Sequence, residues 1–261
     1  MPAIQTTDLT KQYGSTVAVA GLDLAVDAGT VFGFLGPNGA GKTTTMRMLT
    51  GLVRPTRGRA EVAGVETTDR DRLRPRIGYL PEEPPLYDHA TAYEQLDYAA
   101  GLRDLDPEAA RERADDLLSR LDLPPEDAGS RIADYSKGMR QKVAYVQATL
   151  HDPDVLFLDE PTSGLDPRAA RTLRELIAER ADSGTTVFLS THILPVVEAV
   201  ADDVGILYDG DLVAEGSPAD LQQRAETGEA RSLEDAFLEL TTDDAHAEAS
   251  TRHSAEAPTD G

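Results

Sequence analysis

Three glycines, a lysine and two threonines fall within nine residues: Gly36, Pro37, Asn38, Gly39, Ala40, Gly41, Lys42, Thr43, Thr44. The spacing G-x-x-x-x-G-K-[ST] suits capture of a polyphosphate. Glycines let the chain curl until its N–H groups converge, which makes a cradle for anions. A helix that begins at the lysine adds the positive end of its dipole. Lys42 then supplies a full charge to the β- and γ-phosphates of a nucleotide. The Thr43 hydroxyl is suited to ligate Mg²⁺.

A second cluster lies far along the chain. The apolar run Val155–Leu158 ends in Asp159-Glu160-Pro161. An acid at the end of a strand opposite a phosphate loop can hold Mg²⁺, directly or through water. The next acid projects beyond it, where Glu160 can polarise an attacking water as a general base. His192 follows another apolar run, in Leu189-Ser190-Thr191-His192. Two readings stand for it: a satisfied polar group at a strand end, or a contact to the γ-phosphate that orients water.

These residues need a frame. Thr30–Leu35 is short, apolar and rich in β-branched and aromatic residues, and reads as a buried strand entering the glycine loop. Thr43–Thr50 reads as the helix after it. Further strands are expected at Ile4–Tyr13, Leu22–Val26, Arg59–Val62, Arg76–Leu80, Val155–Leu158 and Thr185–Ser190. Helices are expected in Thr91–Leu123, at Ser136–Leu150 and at Pro167–Ala181. Strands alternating with helices imply an α/β fold with a mostly parallel sheet. Asp203–Tyr208 and Asp211–Glu215 form a hairpin pattern with Asp209-Gly210 as its turn. Leu233–Leu240 is amphipathic. Residues 241–261 contain no Leu, Ile, Val, Phe, Met or Tyr, and such a stretch is expected to be disordered.

The 261-residue chain carries a net charge of −22, from 47 acidic and 25 basic residues. That field repels nucleic acid, so no nucleic-acid partner is expected. Cysteine is absent, which excludes disulfides and cysteine-held zinc. The N-terminal sequence lacks a signal-peptide pattern, and no apolar run approaches the roughly 18 residues of a membrane span. A cytoplasmic chain without direct membrane insertion is expected. Only Lys11, Lys42, Lys137 and Lys142 are lysines, and this acidic, lysine-poor composition resembles that of proteins from salt-loving organisms.

From about Ile4 to Leu240 the sequence resembles the ATP-binding cassette family, with the motifs in the family's order. Tyr13 matches the aromatic that stacks on adenine, and Gly36–Thr44 matches the Walker A loop. Glu82 stands where a glutamine is usual, among the Mg²⁺ neighbours. Tyr135-Ser136-Lys137-Gly138-Met139 matches the signature sequence, with Lys137 and Met139 departing from its commonest form. Asp159 and Glu160 match Walker B and the catalytic glutamate. Ser163–Asp166 matches the D-loop, and His192 the switch histidine. The resemblance implies a P-loop ATPase fold with a RecA-like core, an N-terminal antiparallel β subdomain and a helical insertion at about 87–155. The cassette is expected over 1–220, followed by an amphipathic helix within 221–240 and an acidic tail.

The resemblance also implies ATP and Mg²⁺ as cofactors and a second nucleotide-binding subunit, with a homodimer expected. Ser136 and Gly138 would meet the γ-phosphate of the opposite subunit, and Asp166 would run along the interface. The partner implied is a separately encoded, multi-spanning membrane permease, which holds the chain on the cytoplasmic face of the plasma membrane. The YSKGM, LPE and LEDAFLELT forms resemble the subgroup paired with ABC-2 exporters. Glu83–Tyr98, with Leu86, Tyr87 and Tyr93, reads either as the permease-docking surface or as packing of the helical part. Two other functions remain open: a non-transport cassette ATPase acting on ribosomes or nucleic-acid complexes, and a cassette that binds ATP without turnover. Glu160 and His192 argue against the last.

Overall fold

The computed structural model describes residues 2–224 and 232–241. The tail beyond Thr241, with the disorder expected of it, lies outside these residues.

The chain opens with β1 (Ile4–Tyr13) and β2 (Thr16–Val26), which pair antiparallel. β3 (Val31–Leu35) feeds the glycine loop and then α1 (Lys42–Leu49). β4 (Arg57–Val62), β5 (Val65–Glu66), the single turn α2 (Arg70–Leu73) and β6 (Ile77–Leu80) follow. Four helices come next: α3 (Ala92–Gly101), α4 (Pro107–Arg120), α5 (Pro125–Ala128) and α6 (Lys137–Thr149). The chain then runs through β7 (Val155–Asp159), α7 (Pro167–Asp182), β8 (Thr186–Thr191) and α8 (Leu194–Val200). It ends in β9 (Asp203–Tyr208), β10 (Asp211–Gly216), α9 (Pro218–Arg224) and α10 (Leu233–Leu240).

Two sheets result. One has the order β2-β1-β4-β5 and is antiparallel; the other has the order β10-β9-β3-β8-β7-β6. In the second, all neighbours are parallel except β9 and β10. The parallel strands are apolar on both faces because both faces are covered. Along β3, β7 and β8, Phe32, Phe34, Phe157 and Phe188 point to a core shared with the antiparallel sheet and α1. Their neighbours Leu35, Leu156, Leu158, Val187 and Leu189 point to the opposite core, among the helices. Phe188 gathers the rings, with Phe32, Phe34 and Phe157 at 5.5, 5.1 and 5.7 Å.

Capping explains several boundaries. Thr91 and Glu94 form a reciprocal capping box at α3, and Asp106 caps α4 with Pro107 in its first turn. The β9–β10 turn has positive φ at Asp209 (47°) and Gly210 (88°), the backbone that a tight hairpin turn requires.

His151, between α6 and β7, faces the Ile77 carbonyl through Nε2 at 2.9 Å. A carbonyl only accepts, so Nε2 carries the proton. Nδ1 is buried without a partner among the described residues. Burial, then the nearby Arg103 charge, lowers its pKa to about 4. The unfolded chain takes up this proton near pH 6.5 while the folded one stays neutral, so stability falls as pH drops through that window and levels off near pH 4. Between pH 7.5 and 5.5 the loss from His151 is about 1 kcal/mol, allowing for partial exposure. Urea midpoints of wild type and His151→Asn at the two pH values check this. The variant is expected to lose less stability on acidification; equal losses would remove His151 as the cause.

Candidate functional site

The C-terminal ends of β3, β7 and β8 lie side by side, and the site forms there. In register, Leu35 pairs with Thr191 and Asp159 with Ser190. The glycine loop after β3, the two acids at the end of β7 and the histidine after β8 therefore converge, although more than a hundred residues separate the loop from the acids and His192 lies 32 residues beyond Glu160. A cavity of about 380 Å³ opens between them. It is lined by Asn38, Gly39, Gly41, Lys42, Thr43 and Thr44 on one side, and by Glu82, Asp159, Glu160 and His192 on the other; Ala18 of β2 closes an edge.

Lys42 is buried and folds back over its own loop, donating to the carbonyls of Gly36 at 2.6 Å and Pro37 at 3.1 Å. Burial lowers its pKa, against the opposing pull of Glu160, Asp159 and Glu82. The Thr43 hydroxyl donates to Asp159 Oδ2 at 2.9 Å. Burial raises the Asp159 pKa, countered by the hydrogen bond from Thr43 and by the nearby Ser190 hydroxyl, with Glu160 and Glu82 pushing the same way as burial. Thr43, Asp159 and the exposed Glu82 thus offer oxygen donors of the kind a small divalent cation prefers. Among the described residues no three His, Asp or Glu side chains form a cage by themselves. The donor set fits Mg²⁺ in the form that leaves most positions to phosphate and water.

Glu160 is 6% exposed and has φ 49°, a left-handed backbone unusual for a residue other than glycine. Its amide donates to the Ser190 carbonyl at 2.8 Å. Its carboxylate takes three donors. Thr191 Oγ1 lies 2.9 Å from Oε2, and the His192 amide and Nδ1 lie 3.0 and 2.7 Å from Oε1. With the carboxylate ionised, Nδ1 is the protonated ring nitrogen. From the other side, Gln141 of α6 reaches the Glu160 carbonyl at 3.4 Å.

The remaining sequence-derived candidates divide by position. Gly36 and Pro37 serve through the carbonyls that hold Lys42, and Ala40 is buried in the core. Tyr13 does not line the cavity; it stands 48% exposed at the end of β1 with the Lys11 ammonium 4.9 Å from its ring centre. Ser136, Gly138 and Asp166 also lie outside the lining. Ser136 caps α6 and Asp166 caps α7. Gly138 backs onto the loop of Asp166 so closely that a Cβ there would lie 2.7 Å from the Gly164 carbonyl. Lys137, the departure from the usual glycine, donates to Ser163 at 2.7 Å across the same contact. Asp166 has a lowered pKa, chiefly from the Ala169 amide it accepts.

Sequence reasoning missed Ala18, Gln141 and Thr191. Nothing local marks Ala18 or Gln141. Thr191 carried a signal, a hydroxyl closing an apolar strand directly before His192.

Comparison with known proteins identifies the family. The sequence pattern of the ABC transporter family matches residues 19–163. The daunorubicin/doxorubicin resistance ATP-binding protein of Streptomyces peucetius is 41% identical over 222 residues, covering 84% of this chain and 67% of that protein. A solved ATP-binding subunit of an ABC transporter superposes with TM-score 0.85 at 34% identity, over 92% of this chain and all of that one. A dimeric bacterial ABC transporter cassette gives TM-score 0.76 at 25% identity, over 82% and 98%. The chain spans 66% and 56% of the length of two uncharacterised ABC transporter ATP-binding proteins that it also matches. With its phosphate loop, paired acids and strand-end histidine assembled at the C-terminal ends of neighbouring parallel strands, and with these relatives, the chain belongs to the ABC transporter family.

Proposed function

We propose that this chain is an ATP-binding and ATP-hydrolysing subunit that powers a separate membrane permease. The observation that carries the reading is the three-donor clamp on Glu160 at the mouth of the cavity formed by Gly39–Thr44. A carboxylate so held can accept a proton from water positioned between it and a γ-phosphate. His192 keeps Nδ1 on Glu160 and leaves Nε2 for the phosphate side. Lys42 exchanges its loop carbonyls for phosphate oxygens, trading neutral acceptors for charged ones. Thr43 and Asp159, with Glu82 nearby, would hold Mg²⁺, which neutralises charge on the phosphates.

Ser136 is exposed, with the buried Gly138 two residues on, and both lie outside the lining of their own cavity, a position suited to meeting the nucleotide of a second copy. The dimeric form of one structural relative supports that arrangement. ATP held between two copies would favour the closed pair, and hydrolysis would release it. Asp166, beside that surface, would link the two sites.

No helix among the described residues is long and apolar enough to cross a membrane, so the reading requires a membrane partner. Of the anchors suggested by sequence, Leu86 and Tyr93 pack against the helical core. Tyr87 remains exposed, edge-on to Tyr98 at 5.5 Å. A cavity of about 500 Å³ nearby, between the α1 end and α3, offers exposed Leu52 and Leu102. Arg70, Arg74 and Arg103 line it too, and their hydrogen bonds go to the backbone carbonyls of Leu52, Leu102 and Arg74. An apolar floor with a rim of three arginines and one acid, Asp71, suits an amphipathic, acidic segment of a permease. The resemblance of the relatives to drug-resistance systems favours an ABC-2 exporter on the cytoplasmic face of the membrane.

The test is affinity capture of the tagged chain from detergent-solubilised native membranes, with ATP and Mg²⁺. A multi-spanning protein is expected in stoichiometric amount, and Leu52→Asp is expected to reduce its recovery severalfold. Recovery of ribosomes without a membrane protein would overturn the transporter reading.

A further inference from the structure

We infer that Thr191 is a positioning residue for ATP hydrolysis, fixing the orientation of the Glu160 carboxylate. The inference rests on the reading of Glu160 as the base. Thr191 ends β8 between the two strands that carry the chemistry, paired with Leu35 of β3 and next to Ser190, the partner of Asp159. Its side chain is wholly buried. The hydroxyl accepts from the Ile193 amide at 3.1 Å and donates to Glu160 Oε2 at 2.9 Å. A hydroxyl has a single proton. The Ile193 amide occupies one lone pair, so the proton is free for the carboxylate, and the bridge is anchored to the backbone at its Ile193 end.

The two carboxylate oxygens are held unequally. Oε1 takes both His192 donors, whereas Oε2 takes Thr191 alone. Oε2 is therefore the oxygen with a lone pair to spare for water. Without the Thr191 donor, the carboxylate is tied only through Oε1 and can swing about that contact, carrying the basic lone pair away from the attack position. Glu160 also starts from a strained backbone, φ 49°, so its side chain depends on these outside contacts to remain in place. The Thr191 hydroxyl bonds to Glu160 and the Ile193 amide, and the residue does not line the nucleotide cavity, so nucleotide binding is not expected to pass through it.

The expected result separates kcat from KM. Turnover is measured on the full chain together with the membrane partner that co-purifies with it. Thr191→Val keeps the shape but deletes the hydroxyl; its kcat is expected to fall about 10- to 100-fold with KM for ATP within about twofold. Thr191→Ser restores the hydroxyl and is expected within about threefold of wild type. If Thr191→Val does not fold, Thr191→Cys takes its place, with a fall of at least about tenfold expected from its poorer donor. Wild-type kcat in the valine or cysteine variant, or a serine variant as slow as valine, overturns the inference. Glu160→Gln runs alongside. If it is inactive while Thr191→Val is normal, only Thr191 falls; if it retains full turnover, the base reading falls as well.

Discussion

Glu160→Gln is expected to lower the rate of ATP hydrolysis by about 10²- to 10⁴-fold, the range attributed to a positioned general base. Glutamine keeps the length and the branching of the side chain, so the pocket retains its shape. What it loses is the capacity to take a proton. Binding should respond in the opposite direction. Glu160 is the largest of the charges that pull the Lys42 pKa upward, ahead of Asp159 and Glu82. Removing one negative charge leaves Lys42 less compensated and reduces repulsion toward incoming phosphates. ATP affinity is therefore expected to be unchanged or tighter. Single-turnover hydrolysis of labelled ATP, paired with a fluorescence titration, separates the two effects. Turnover within about tenfold of wild type would assign the proton transfer elsewhere.

The second large effect belongs to the glycine loop. Gly41 has φ 108°, and a Cβ at that position would lie 2.3 Å from the Ala18 carbonyl and 3.3 Å from Leu207 and Val19 side-chain atoms. Gly41→Ala combines backbone strain with a clash against a fixed strand, together on the order of 3–5 kcal/mol. That is a large fraction of the total stability of an ordinary domain. Relief by shifting the loop would also displace the Gly41 carbonyl, which accepts from the Thr45 amide at 2.8 Å. Gly39 supplies the control. It has φ 86° but nothing within 4 Å of a Cβ, so Gly39→Ala carries strain alone, about 1–2 kcal/mol. Urea unfolding followed by circular dichroism compares the two. Equal destabilisation would show that the contact with Ala18 relaxes without cost.

The parts of this site that could be read from sequence are those whose information is local. The glycine spacing of Gly36–Thr44 states a backbone shape, and the run Val155–Leu158 states a buried strand whatever its neighbours. β3, β7 and β8 were therefore placed to within a residue or so, as were α1, α6 and α7. β2 was not: it begins at Thr16 rather than Leu22. Its first half, Thr16–Gly21, mixes exposed and half-buried positions around a single buried residue, Val19, so it shows no clean alternation. That missed half contains Ala18, which edges the cavity. α9 was missed for a similar reason, being seven residues of mixed polarity. Thr191 and Gln141 act through partners 31 and 19 residues away, and no local pattern records a contact that only the sheet order creates. Tyr13 is the reverse case. Its motif position was legible, yet in this structure its ring stands under Lys11 and apart from the cavity.

The left-handed backbone at Glu160 sets a conflict between durability and work. Glycine adopts φ 49° without the steric cost that any other ordinary residue bears. By backbone preference alone, the position immediately after β7 belongs to glycine, and random substitution toward glycine would relax the local chain. The protein instead keeps an acidic, buried side chain there and holds it with three donors. A population of such proteins drifting under selection for thermal robustness alone would be drawn away from this residue. If Glu160 is the base proposed above, turnover is what favours keeping it, and residue 160 in a descendant chain records whether that chain still hydrolyses ATP.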